Sequence, residues 1–192
     1  MSEPQPMTML DGALAADGLT CNIEERGLVG QVTLKGTLSD PALAKAVLAE
    51  AGLAVPETLR ANFSDTGAVI WMAPDELLLL GAYEDAPALA ARLSSQLAGQ
   101  HVMALDVSDT RAVIRVEGAG AQELMAKGAP CDLSDTAFPP GTARRTHFAE
   151  IAVLILRREA DLWEIACFQS FAPHLMAWLA TAADREASVG WF

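Results

Sequence analysis

Two aspartates, Asp106 and Asp109, flank Val107-Ser108 near the middle of the 192-residue chain. A carboxylate in a suitable environment can take up a proton or anchor an amine, so Asp106 is a candidate base or substrate-binding residue. Aspartate and serine at this spacing also close turns and strand ends by local hydrogen bonds to the backbone. The sequence favours the structural role for Asp106 and leaves the chemical one open.

The pair Arg144-Arg145 follows Pro139-Pro140-Gly141, so we expect both arginines in a stiff loop before a long strand. Guanidinium groups bind carboxylates and phosphates through paired hydrogen bonds, which makes the two arginines a candidate anion site. They can equally form an ion pair with another subunit or a salt bridge within the chain. These three alternatives stay open.

The sequence lacks the signatures of common catalytic sites. It contains no glycine-rich dinucleotide loop, no phosphate-binding loop and no GxSxG nucleophile turn. The three histidines are far apart, and no HExxH pattern is present. Cys21, Cys131 and Cys167 are widely spaced and odd in number, which predicts reduced thiols instead of a disulfide framework or a zinc site. We therefore predict no catalytic residue, cofactor site or metal site in this chain.

The composition indicates a folded, acidic protein. Hydrophobic residues make up 52% of the chain and charged residues 20%, enough apolar material for a sizeable core. The net charge of −12 argues against a nucleic-acid partner. The segment 111–158 carries seven basic and five acidic residues, so it is consistent with a polarised docking face or an anion site, or with simple scatter.

No apolar run approaches the roughly 18 residues of a membrane span, so we expect no membrane association. The first ten residues carry Glu3 and two prolines, whereas a secretory signal begins basic and continues apolar. We therefore expect a cytoplasmic location.

Hydrophobic periodicity divides the chain into two similar halves. The first predicts a strand at 28–34, a helix between Ser39 or Asp40 as N-cap and Gly52, a hairpin of strands 68–73 and 76–82, and a helix after Glu84-Asp85. The second repeats the order about 80 to 85 residues later. It predicts a strand at 111–116, a helix at 119–127, a hairpin of strands 148–156 and 162–168, and a helix from Phe171 to about Asp184 with Ser170 as N-cap.

These elements predict an α+β fold of two tandem βαββα units that form one pseudo-symmetric body. Residues 1–25 are expected to be a partly ordered lead-in, 26–105 the first half and 106–192 the second half, within a single compact domain. A helix set between a strand and a hairpin favours largely antiparallel sheets with helices on one face. The two sheets can join or pack around a cleft, and the sequence does not choose between these arrangements.

Several residues are candidates for contact with a partner protein. The chain ends in Trp191-Phe192, and aromatic residues commonly anchor interfaces. Trp71, in the first hairpin, and the arginines Arg111, Arg144 and Arg145 of the basic segment complete the interface candidates.

Short motifs along most of the chain resemble those of a known family. They are Trp71-Met72-Ala73-Pro74-Asp75-Glu76-Leu77, Asp106-Val107-Ser108 with Arg111, Lys127-Gly128-Ala129-Pro130-Cys131-Asp132-Leu133, Phe138, Pro140-Gly141, Arg145-Thr146, Ser170-Phe171-Ala172 and Trp178-Leu179. In order and spacing, from about Gly27 to Asp184, they resemble the gamma subunit of heterotetrameric sarcosine oxidase. The sequence departs from that pattern at Gln169, where an arginine is expected, and so loses one anion contact or interface ion pair.

The resemblance implies a fold similar to the folate-binding domain of aminomethyltransferases. It also implies a complex that oxidatively demethylates sarcosine to glycine, passes the one-carbon unit to tetrahydrofolate or releases formaldehyde, and forms hydrogen peroxide. FAD, FMN and NAD are then expected in the large alpha and beta subunits and zinc in the delta subunit. This chain is expected to hold no cofactor and to act as a structural subunit.

Two other functions stay open. A stand-alone folate-binding or one-carbon-transfer protein would use Asp106 as base or amine anchor, and Arg144 or Arg145 to hold the folate glutamate. A regulatory module is the third hypothesis, because repeated βα units often sense amino acids. Fold similarity does not transfer an activity without its site, so the assembly role is favoured.

Overall fold

The computed structural model describes residues 10, 13–15 and 21–190, which form eleven strands and four α-helices. The strands are β1 (Ala13–Ala15), β2 (Asn22–Glu25), β3 (Gly30–Lys35), β4 (Ala61–Phe63), β5 (Ala68–Ala73), β6 (Glu76–Gly81), β7 (Met103–Asp106), β8 (Arg111–Glu117), β9 (Thr142–Phe148), β10 (Ile151–Glu159) and β11 (Leu162–Phe168). The helices are α1 (Pro41–Ala51), α2 (Ala86–Gln96), α3 (Ala121–Gly128) and α4 (Ala172–Ala182). None of these helices has the length and apolar character needed to cross a membrane.

The strands form two sheets whose order repeats. One sheet has the order β4-β5-β6-β3-β7, and the other has the order β9-β10-β11-β8-β2-β1. Every strand pair within them is antiparallel. β8 to β11 therefore repeat the arrangement of β3 to β6, and the predicted α+β fold with antiparallel sheets is confirmed.

The strand that precedes each half lies in the sheet of the other half. β7 leads into β8 but pairs with β3, and β2 leads into β3 but pairs with β8. β1 and β2 both lie within residues 1–25, where the sequence predicted a partly ordered lead-in without assigning strands. β2 has the sequence Asn-Ile-Glu-Glu, in which only Ile23 is apolar and fully buried, so hydrophobic alternation does not reveal it.

The two sheets pack face to face with helices outside. α1 and α2 cover the outer face of the five-stranded sheet, and α3 and α4 cover that of the six-stranded sheet. The inner faces share a buried apolar cluster: Val29, Ala61, Ala68, Ile70, Met72, Leu78, Leu80, Val113, Ala143, Leu154, Leu156 and Ala166. The result is a four-layer α/β/β/α body with a buried apolar cluster between the two sheets.

The sheets are also joined at one edge. Arg60, just before β4, forms an antiparallel bridge with Thr142 at the start of β9. The Ala61 N–H donates to the Gly141 carbonyl at 2.8 Å, and the Ala143 N–H donates to the Leu59 carbonyl at 2.9 Å. Both arrangements left open by the sequence, joined sheets and facing sheets, are therefore present.

The ends of α1 follow the predicted signals, whereas the start of α4 departs from them. Asp40 caps α1, because its Oδ1 accepts a hydrogen bond from the Ala42 N–H at 2.8 Å, and Gly52 ends it with a φ of 67°. Ser170 does not cap α4. It lies in a 3-10 turn, and Phe171 occupies the cap position without a side-chain hydrogen bond.

The predicted strand 148–156 corresponds mainly to β10, and its first residue, Phe148, is the last residue of β9. β9 ends at Phe148, and β10 begins at Ile151 after the turn Ala149-Glu150, whose φ values are 45° and 69°. A two-residue hairpin turn with positive φ at both positions matches the strand twist, but it usually carries asparagine or glycine. Ala149 and Glu150 give no such signal, which explains why the turn was missed.

Candidate functional site

Asp106 lies at the end of β7, and its contacts are those of a carboxylate that closes a turn. Its Oδ1 accepts hydrogen bonds from the Ser108 N–H, at 3.0 Å, and from the Ser108 hydroxyl. The Ser108 oxygen in turn accepts from the N–H of buried Gln31 at 2.9 Å. Gln31 Nε2 donates to the Arg111 carbonyl, also at 2.9 Å. Through Ser108 and Gln31, Asp106 therefore fixes the connection between β7 and β8 against β3.

Arg144 and Arg145 lie in strand β9, which corrects the expected loop. Consecutive residues of a strand point to opposite faces of the sheet. The Arg144 guanidinium lies 5.5 Å from the centre of the Phe138 ring, within the layer that contains α3 and α4. Arg145 is exposed on the inner face, beside the paired residue Leu154. Because they lie on opposite faces of the sheet, the two side chains cannot bind the same anion.

The structure instead brings Arg145 together with Arg111, the first residue of β8. Both line a small cavity of about 60 Å³ at one end of the cleft between the sheets, with Met72 from β5 and Phe168 from β11. Phe168 is the cross-strand partner of Arg111, and the Arg111 guanidinium lies 5.5 Å from its ring centre. We call Met72, Arg111, Arg145 and Phe168 the Arg111–Arg145 patch.

The charges of this patch are poorly compensated. Among the described residues, no carboxylate oxygen lies within 4 Å of the Arg111 or Arg145 side-chain nitrogens. Burial lowers the pKa of the Arg111 guanidinium; nearby Glu76 opposes that shift, and the positive charge of Arg145 adds to it. Glu76 itself pairs with Lys35, at 3.5 Å. The patch is therefore a positive site on an acidic chain.

Large apolar side chains are also exposed on the inner faces of the sheets. Phe168 is 49% exposed. On β7, Leu105 is 52% exposed, and its partner Thr33 also pairs with Leu78 of the inner cluster, which places Leu105 on the inner face. The uncovered inner face therefore combines two guanidinium groups with large apolar side chains.

Trp71 is half-buried on β5 and lines a separate open groove of about 990 Å³. The groove runs along the connection from β3 to α1 and past Pro74 and His101. Trp71, Pro74 and Asp75 belong to the hairpin of β5 and β6, so the predicted placement of Trp71 in that hairpin is confirmed. Trp191 and Phe192 lie outside the described residues.

The remaining potential reactive groups do not assemble. His101, His147 and His174 are all exposed and lie on separate parts of the fold. Within residues 10, 13–15 and 21–190, no group of three His, Cys, Asp or Glu side chains is placed to hold a metal ion. Cys21 and Cys167 are buried thiols, and burial raises the pKa of Cys167 to about 11.

Sequence reasoning identified Arg111 and Arg145 separately and missed Met72 and Phe168. Phe168 lies beside Arg111 only because β11 and β8 pair in that register. Met72 approaches from the other sheet. The strand alternation around 162–168 gives the one usable signal, since it places Phe168 on the face of Ala166.

Comparison with known proteins gives a consistent result. A model of the family described as "Sarcosine oxidase, gamma subunit family" matches residues 35–185. The sarcosine oxidase subunit gamma of Corynebacterium sp. (strain U-96) is 34% identical over 142 residues, covering 73% of this chain and 68% of that protein.

Solved structures agree with this match. The heterotetrameric sarcosine oxidase from Corynebacterium sp. U-96, in complex with pyrrole 2-carboxylate, contains a chain that superposes with a TM-score of 0.79 and 28% identity. That match covers 90% of this chain and 88% of the other. The glycine cleavage system aminomethyltransferase T from Bartonella henselae gives a TM-score of 0.56 at 14% identity, over 84% of this chain and 46% of that one. At that identity the second likeness concerns the fold alone, and it agrees with the fold implied by the resemblance.

The family match spans most of the chain, and the Corynebacterium subunit agrees with it in both sequence and fold. The chain belongs to the sarcosine oxidase gamma subunit family.

Proposed function

We propose that the chain is the gamma subunit of a heterotetrameric sarcosine oxidase and contributes to its assembly instead of its chemistry. The observation that carries this proposal is the superposition, at a TM-score of 0.79 over 90% of the chain, on part of the Corynebacterium heterotetrameric enzyme. The side-chain contacts of Asp106 support it, because the carboxylate that sequence reasoning offered as a base is engaged by Ser108.

In this proposal, the alpha, beta and delta subunits complete the complex. FAD, FMN and NAD belong to alpha and beta, and zinc belongs to delta, as the family resemblance implies. The complex oxidatively demethylates sarcosine to glycine, with tetrahydrofolate as one-carbon acceptor and hydrogen peroxide as by-product. The cytoplasmic location stays a prediction from the sequence.

The interface candidates differ in how well they are placed for such a role. Arg145 is exposed and Arg111 is half-buried beside exposed Phe168, so both can reach a partner. Trp71 borders an open groove. Arg144 is directed towards Phe138 within the layer of α3 and α4, which favours a packing role over an intersubunit contact. Trp191 and Phe192 remain interface candidates on the basis of the sequence alone.

Co-expression tests the proposal directly. The tagged chain is produced alone and together with the alpha, beta and delta subunits of the same organism. We expect all four proteins to co-purify, and we expect hydrogen peroxide formation from sarcosine only when the partners are present. Failure to co-purify would overturn the assembly role, as would sarcosine turnover or a bound coloured group in the isolated chain.

Calorimetry separates this proposal from a stand-alone folate protein. Tetrahydrofolate at millimolar concentration is titrated into the isolated chain, with Arg145→Ala as the comparison variant. We expect no heat of binding for either protein. A heat that is present in the unsubstituted chain and absent in the variant would favour the folate-binding alternative.

A further inference from the structure

The Arg111–Arg145 patch holds two positive charges that the described part of the chain does not neutralise. Arg111 is half-buried, and Arg145 lines the same cavity. Placing two guanidinium groups side by side with partial burial costs free energy unless an anion joins them. The free chain is therefore incomplete at this site, and an acidic group is the chemistry that completes it.

The cavity beside these arginines limits the size of that acidic group. Its volume of about 60 Å³ is well below the roughly 300 Å³ at which small-molecule sites begin. A carboxylate fits such a space, whereas a whole cofactor or folate molecule does not. The acidic group therefore belongs to something that rests mainly on the surface outside the cavity.

The surface outside the cavity is apolar and open. Phe168, which lines the cavity, is 49% exposed, and Leu105 on the inner face of β7 is 52% exposed. Large exposed apolar side chains beside arginine are typical of the centre of a protein interface, where aromatic residues and arginine supply most of the binding energy. Their combination favours a polypeptide over a free small anion.

We infer that the Arg111–Arg145 patch docks an acidic side chain on a partner subunit, whose flanking apolar residues cover Phe168 and Leu105. This inference rests on the proposed assembly role and deepens it by assigning the surface. The patch has four residues, far fewer than the roughly 20–30 that each partner usually contributes, so it forms the charged centre of a wider contact. The binding should weaken as salt concentration rises, because part of the contact is an ion pair.

The test measures how tightly the chain binds the complex of its partner subunits by biolayer interferometry. Arg145→Glu and Phe168→Ala are compared with the unsubstituted chain at low and high salt. Lys45→Glu is the matched control, because it makes the same charge change at an exposed site on α1, in an outer layer. The far-ultraviolet circular dichroism and urea midpoint of each isolated variant check that it folds.

We expect Arg145→Glu and Phe168→Ala to weaken binding by roughly tenfold or more, and Lys45→Glu to leave it unchanged. Normal affinity of the folded Arg145→Glu and Phe168→Ala variants would overturn the inference while leaving the assembly role intact. If the unsubstituted chain itself does not bind the partner subunits, both the proposed assembly role and this inference are overturned.

Two further outcomes would assign the patch differently and so overturn the inference. In one, glutarate binds the isolated chain, and Arg145→Glu abolishes that binding without changing the affinity for the partner subunits. The patch would then bind a small anion. In the other, the variants alter self-association of the isolated chain without affecting the complex. The patch would then contact a second copy of this chain.

Discussion

The guanidinium carbon of Arg158 on β10 lies 4.5 Å from the centre of the Phe63 ring on β4, so a cation–π contact connects the two sheets. Arg158 also donates to the Ser64 carbonyl at 3.0 Å and pairs with Glu164 at 3.6 Å. Glu164 is only 2% exposed, and Arg26 forms its second ion pair at 3.0 Å. The buried Glu164 carboxylate thus forms ion pairs with two arginines from distant parts of the chain.

Replacing Arg158 with alanine should destabilise the protein. The substitution removes the contact between the sheets and leaves buried Glu164 with one positive partner. Because Arg26 remains, we expect a loss of about 2–3 kcal/mol in the free energy of unfolding, below the cost of fully isolating a buried charge. Urea denaturation followed by tryptophan fluorescence measures it.

The control for Arg158 is Arg92, which pairs with Glu50 at 2.6 Å on the outer helices with its own side chain 51% exposed. Arg92→Ala should cost less than about 1 kcal/mol, because exposed ion pairs are weak. Equal losses in the two variants would show that the Arg158 cluster has no special role in joining the sheets.

Gly128 should not tolerate a side chain, although its backbone conformation is ordinary. A β-carbon at this position would lie 2.5 Å from Cε1 of the Phe148 ring. We expect Gly128→Ala to lower the free energy of unfolding by about 1–3 kcal/mol through overpacking. Calorimetric melting measures the change, and the double variant Gly128→Ala with Phe148→Leu should regain part of the loss.

Gly81 provides the matched control, since a β-carbon there meets no atom within 4 Å. Gly81→Ala should change stability by no more than about 0.5 kcal/mol in either direction. A loss as large as that of Gly128→Ala would mean that glycine is required in both places for backbone reasons. The contact with Phe148 would then not be the cause.

Gly128 also illustrates what sequence reasoning can and cannot recover. Glycine after a helical run predicts a helix end, and α3 does end at this residue. The physical cause is different, because space against Phe148, which the sequence does not display, requires the glycine. Strong apolar periodicity predicted α1, α2 and the hairpin of β5 and β6, whereas β2, β4 and β7 are too short to show alternation.

The candidate site was predictable in residue type but not in arrangement. Arg111 and Arg145 were both selected from the sequence, yet adjacency suggested that Arg145 acts with Arg144. Neighbouring residues of a strand point to opposite faces, and their contacts come from other strands, so the register of β8, β9, β10 and β11 decides which groups meet. Register is set by tertiary packing, which explains why Phe168 was missed.

Asp40, and not Ser39, should account for the stability of the first turn of α1. Only the Asp40 side chain accepts a hydrogen bond from the Ala42 N–H, although both residues are plausible caps by type. We expect Asp40→Ala to cost about 1 kcal/mol of unfolding free energy. Ser39→Ala should stay within about 0.5 kcal/mol of the unsubstituted chain in urea denaturation. The reverse order would assign the cap to Ser39.

Glu123 on α3 should make the attachment of the chain end depend on pH. Its Oε1 accepts a hydrogen bond from the Val189 N–H at 2.6 Å and its Oε2 accepts from Gly190 at 3.3 Å, while Lys127 lies 3.7 Å away. The Val189 N–H is the main cause that lowers the pKa of Glu123 below its ordinary value, and Gly190 and Lys127 add to it.

Because the pKa of Glu123 is lower in the folded chain than in the unfolded chain, the carboxylate stabilises the fold fully above the unfolded value of about 4.3. That stabilisation disappears as the pH falls through the folded value. Glu123→Gln keeps one oxygen acceptor but removes the charge, so we expect a loss of about 1–2 kcal/mol in the free energy of unfolding at neutral pH.

The loss should shrink as the pH falls through the folded pKa of Glu123, because the carboxyl of the unsubstituted chain is then itself protonated. Urea denaturation of both proteins across this pH range gives the difference directly. Glu57→Gln, at an exposed carboxylate, serves as the control and should show little difference at any pH. A Glu123→Gln difference that stays constant from neutral to acidic pH would contradict the prediction, because a purely steric effect of the amide does not titrate.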